Sequence, residues 1–148
     1  MTSFEIARNL FLFGSLSFAV MGFAHAALSF LDDPDPKRFT PVNDDVRLSM
    51  RETQLKFANR VNMWRAWLGF NISHGFGLFL FGFIYLTITV FEFSLIVYCR
   101  PLIPLAIIGA AGYFLMALRY WYYAPAIGSA IGLGCFTAGY FFLRTFSL

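Results

Sequence analysis

The chain has 148 residues, 59% hydrophobic and only 13% charged, where a soluble domain carries roughly 25% charged residues. Its 20 phenylalanines exceed what the interior of a soluble protein this small can hide, because so short a chain buries too small a share of its surface. The formal charge of +3 points to no nucleic acid partner, since the cations form no basic face on a folded soluble domain. The length implies a single transmembrane domain over residues 1–148.

The first apolar run covers about residues 10–31 and contains no Asp, Glu, Lys or Arg. Ala24-His25-Ala26 has the small-x-small form of a leader cleavage site. Glu5 spoils the basic start, however, and the apolar run continues to Leu31, so a retained helix is expected. Further runs cover about 66–91, 101–123 and 125–143. Each approaches or exceeds the ~20 residues that cross a hydrocarbon layer ~30 Å thick. They lack the alternation of barrel strands, so each must satisfy its own backbone as a helix. The expected fold is an all-α four-helix transmembrane bundle. Short links near Tyr98–Pro101 and Ala124–Pro125 make neighbours antiparallel.

Residues 32–65 are the one substantial loop. Asp32 to Pro36 reads as an acidic, proline-broken turn, after which Val46, Met50, Phe57, Val61 and Trp64 recur near helical spacing. One amphipathic helix is expected there, capped by Asp44 or Asp45. It either lies on an anionic lipid surface or extends into the second span. Residues 46–65 carry five positive charges and one negative, a balance of +4.

Eight of the 11 Lys/Arg belong to the side of this loop, counting Arg119, while Arg8, Arg100 and Arg144 belong to the side of the termini. The positive-inside rule therefore puts the long loop in the cytoplasm.

Helix direction then brings polar residues to one depth. His25 ends the first span, Asn71 and His74 begin the second, and Arg119 and Tyr123 end the third. Trp64, Trp67, Asn71, His74 and Leu78 lie three or four apart and share a face. Polar groups at this depth are costly against lipid and usually point inward. His25, Trp67, Asn71, His74, Arg119 and Tyr123 are thus the candidate pocket. Arg119 and the aromatic run after it also suit the headgroup level, where an arginine snorkels.

The role expected is binding or structural, with membrane lipids as partners and no cofactor. One alternative is a haem held by His25 and His74. Another is a lipid-modifying enzyme with His74 as general base and Arg119 holding an anionic group. Catalysis has thin support, because the one carboxylate within the second to fourth spans, Glu92, is at the far end of its helix. Ser73 points away from His74. No metal site is expected, and Cys99 and Cys135 form no CxxC and read as structural. Gly128 and Gly132 form a GxxxG, with Gly134 and Gly139 beside it, and Gly109 and Gly112 offer small packing surfaces in the third span. Such faces serve either the bundle or self-association and partner helices.

The stretch Trp67-Leu68-Gly69-Phe70-Asn71-Ile72-Ser73-His74-Gly75, preceded by the charged segment, resembles small four-helix bacterial membrane proteins of unassigned function. The likeness covers about 46–80. It implies a location in the bacterial inner membrane and singles out Trp67, Asn71, Ser73 and His74.

Overall fold

In the computed structural model, residues 1–33 and 37–146 are described. The elements among them are α1 (Ser3–Leu31), α2 (Asp44–Glu52), β1 (Gln54–Leu55), β2 (Ala58–Asn62), α3 (Met63–Phe91), α4 (Phe93–Tyr98), α5 (Leu102–Tyr120) and α6 (Tyr123–Phe146). The long helices α1, α3, α5 and α6 have the length and apolarity to cross a membrane. α1 and α3, at 29 residues each, rise ~43 Å, more than the hydrocarbon layer requires. Large apolar side chains such as Phe13, Phe83, Ile108 and Ile131 face outward, where lipid tails receive them without cost. The protein is a helical membrane protein.

Polar side chains within these helices mostly turn back on their own backbone. Ser15, Ser29, Thr87, Thr89 and Ser129 hydroxyls each donate to the carbonyl four residues earlier. The Asn71 amide does the same to Trp67, at 2.9 Å. With no water available, this local bond removes most of the cost of a hydroxyl in lipid.

The chain divides into two compact units, Met1–Met21 with Leu78–Leu148, and Gly22–Gly77. In the first, parts of α1 and α3 pack with α5 and α6 as a four-helix bundle. Its centre is aromatic: Phe11 and Phe18 of α1 meet Phe136 of α6 at 5.2 and 6.2 Å, and Phe81 stands edge-on to Phe18 at 5.0 Å. Small residues let these rings in. Gly132 backs onto Phe18, Gly128 onto Met21 and Gly139 onto Phe11, and the Ser17 hydroxyl donates to the Gly128 carbonyl at 2.8 Å. The GxxxG face therefore serves the internal packing of α6 on α1. Gly109 makes room for Phe81, whereas Gly112 and Gly134 face open space, against the packing role expected of them. At the other end of α1, Arg8 donates to the Thr89 and Val90 carbonyls, both at 3.3 Å. It thereby caps the C-terminus of α3, where carbonyls lack intrahelical partners.

In the second unit the end of α1 lies against the start of α3. A Cβ on Gly75 would stand 2.5 Å from the Ala26 backbone nitrogen, so the two helices touch backbone to backbone. Between them, the helix expected from Asp44 onward stops at Glu52. Thr53 is extended, and β1 and β2 form an antiparallel ribbon across Lys56 and Phe57. The Met63 N–H closes it on the Thr53 carbonyl at 2.9 Å. Thr53, Asn59, Val61 and Asn62 are weak helix formers, and apolar periodicity alone does not hold a helix that has little to pack against. The cap of α2 is Asn43, whose side chain accepts the Asp45 N–H at 2.9 Å; neither Asp44 nor Asp45 fills that role. The proline-broken turn expected at 32–36 falls in large part, at 34–36, outside the described residues. A further difference is α4, which follows a break at Glu92 where a plain turn was expected.

Candidate functional site

The second unit brings polar side chains of α1 and α3 together. His25 of α1 and His74 of α3 are half-buried and stand edge to face, ring centroids 5.7 Å apart. Both sit one residue before the helix contact, His25 before Ala26 and His74 before Gly75, so the backbone approach itself brings the imidazoles together. Asn71, one turn before His74, is wholly buried. His74 is also stacked on Phe70 at 5.9 Å. Ser73 is exposed and returns its hydroxyl to the Phe70 carbonyl.

A strap covers the pair. Phe39 places its ring edge-on to His25 at 4.7 Å. Its carbonyl accepts the Trp67 indole N–H at 2.7 Å, and its own N–H donates to the Asp32 carboxylate at 2.5 Å. Asp32 is wholly buried. Besides Phe39 it accepts the backbone N–H groups of Lys37 and Arg38, and the Arg38 guanidinium lies 3.6 Å away. A buried carboxylate is tolerable when several donors surround it, and charge-assisted bonds of this kind are the strong ones. Asp32 thus folds the chain back over α1, and Trp67 fastens it to α3.

Sequence reasoning did not find Asp32 or Phe39. Both were visible as residues, but their roles depend on the chain reversing between them, and no spacing rule announces a carboxylate ringed by N–H groups five to seven residues ahead.

His25, Trp67, Asn71 and His74 come together in this unit. Arg119 and Tyr123 belong to the first unit. There Arg119 is exposed, with its guanidinium 5.4 Å above the ring of its neighbour Tyr120, as an arginine is held when it reaches for the headgroup level. Tyr123 lines a cleft of about 330 Å3 with Ala117, Leu118, Trp121, Tyr122 and Ala126. Phe81 of α3 is partly buried and packed against the aromatic core.

The geometry also bears on a haem between the two histidines. Two imidazoles that share an iron need a flat macrocycle between their helices. Here the helices touch at Ala26 and Gly75, one residue beyond each imidazole, and Phe39 and Asn71 occupy the adjoining space. The residues do not fit that group. Among the described residues there is also no cluster of three or more His, Cys, Asp or Glu placed to hold a metal ion.

Comparison with protein-family models, curated proteins and solved structures returns no match.

Proposed function

We propose that this chain is a membrane-embedded binding protein whose site is the His25–His74 pair, set on Asn71 and covered by the Phe39 strap. Its ligand is a lipid, recognised through its polar headgroup at one membrane face. The carrying observation is the imidazole pair 5.7 Å apart on two touching helices. The hydroxyls named above satisfy themselves locally, whereas the two imidazoles meet each other across the helices. The Gly75–Ala26 contact already joins α1 to α3, so packing has no need of a polar tie there. Polar groups retained at such depth ordinarily serve function. The Phe39 ring laid against His25 offers an apolar surface suited to an acyl chain or its glycerol end.

In this reading the whole chain works as one transmembrane domain of a bacterial inner membrane, with the 32–65 loop cytoplasmic. Support for the orientation comes from the eight Lys/Arg on that side; support for the bacterial membrane is the likeness over 46–80.

Lipid mass spectrometry on protein extracted in native nanodiscs tests the binding. The wild type should carry one headgroup class in excess over the surrounding membrane. His25→Ala and His74→Ala should lose that excess while keeping their helix content. If the variants retain the same lipids in the same proportions, the pair is only a structural tie between helices.

A further inference from the structure

The ribbon formed by β1 and β2, together with α2, has features that the lipid-binding site does not use. Lys56 and Phe57 form its tip. Phe57 is 88% exposed, a large aromatic at the end of a two-stranded projection. Lys56 and Arg60 are exposed too, and neither has an ion-pair partner among the described residues. α2 buries no residue at all, and Val46 and Leu48 are about half exposed. Nothing among the described residues therefore accounts for an apolar tip edged with free cations.

We infer that the ribbon tip is a membrane-surface foot, which seats Phe57 among the headgroups of the anionic leaflet that the bundle itself spans. Three observations commit it to that occupant. The charge over 46–65 is +4, complementary to an acidic lipid surface. Five residues of β2 run without a break into α3, so the tip is tethered within ~20 Å of the start of a membrane-crossing helix. Phe57 beside Lys56 is the pairing that interfacial segments use, an apolar ring below the headgroups and an ammonium among the phosphates. A cation near an anionic surface contributes about 1 kcal/mol, or about fivefold in the ratio of seated to unseated tip. The foot holds the loop flat and fixes the direction from which α3 enters the bilayer. It is independent of the histidine site, and either can fail without the other.

The test places one cysteine at the tip, Phe57→Cys, in a chain with Cys99→Ser and Cys135→Ala, and labels it with a polarity-sensitive fluorophore. The labelled protein is put in nanodiscs of phosphatidylcholine alone, or with phosphatidylglycerol added, each containing lipids with a spin-label quencher near the headgroup. Quenching and a blue shift are expected in the anionic discs and not in the neutral ones. Lys56→Gln and Arg60→Gln should each lower the ratio of quenched to unquenched label about fivefold. Unaltered protein gives a second readout, since trypsin should cut after Lys56 and Arg60 readily in neutral discs and slowly in anionic ones. Equal quenching and equal cleavage in both lipids, at any level, overturn the proposal.

Discussion

Gly75 of α3 meets Ala26 of α1 with so little space that a single added methyl would lie 2.5 Å from the Ala26 nitrogen. That atom is backbone in a helix and cannot step aside. The contact sets the separation of the helices at the level of His25 and His74, and so sets the distance between the imidazoles.

Replacing Gly75 by Ala should therefore cost about 1–3 kcal/mol, the usual range for overpacking, and should lower the thermal midpoint in detergent. Gly69→Ala on the same helix is the control. Gly69 meets nothing within 4 Å, so it should be neutral or gain up to ~1 kcal/mol in helix propensity. Equal losses at both positions would show that the close approach is not what the glycine serves. The same contact predicts that protein mixed with haem develops no bis-imidazole absorption spectrum.

Asp32→Asn keeps the size of the side chain and removes the charge that gathers three backbone N–H groups. Amide exchange at Lys37 to Phe39 should quicken by an amount equivalent to ~1–3 kcal/mol of lost local stability. Asp33→Asn, at an exposed neighbour, should leave that exchange as it was. An unchanged rate in Asp32→Asn would detach the strap from its carboxylate.

The histidines are coupled if they form one site. A double-mutant cycle with His25→Ala and His74→Ala, read as thermal stability, should return an interaction near the membrane average of ~0.6 kcal/mol. Phe83→Ala, which removes an outward-facing ring, should show no coupling to either. A zero term between the histidines, together with unaltered lipid retention, would remove the basis for a joint site.

Arg8→Ala strips the Thr89 and Val90 carbonyls of their donor. A cation at a helix C-terminus stabilises by ~0.3–1 kcal/mol, and a loss in that range is expected in unfolding experiments. Arg8→Lys should recover part of it. Full recovery in Arg8→Lys would mean that charge alone, and not the fork of donors, is what the site uses.

Orientation can be read from one position. Val42 is fully exposed in the loop. As Val42→Cys in a chain without Cys99 and Cys135, it should resist an impermeant thiol reagent in intact cells and react after lysis. Labelling in intact cells would reverse the topology and leave the four helices untouched.

The four apolar helices were legible from composition and run length, because lipid imposes a constraint that every twenty-residue stretch must meet by itself. The shared face of Trp64, Trp67, Asn71 and His74 was legible too, since helical periodicity is a property of one segment. The depth argument also placed His25 opposite His74, because helix direction follows from the number of crossings. What tertiary structure alone decided was rotation and contact. Phe81 turned into the core and Gly112 turned out of it, a difference set by the packing of α5 and α6 that no single helix encodes. The 44–62 segment became a short helix and a ribbon, because apolar periodicity outside the membrane has no hydrocarbon to enforce it. Asp32 and Phe39 became parts of the site only when the chain folded back on itself. A carboxylate acquires three N–H partners through a reversal of the backbone, and a reversal is a relationship in space.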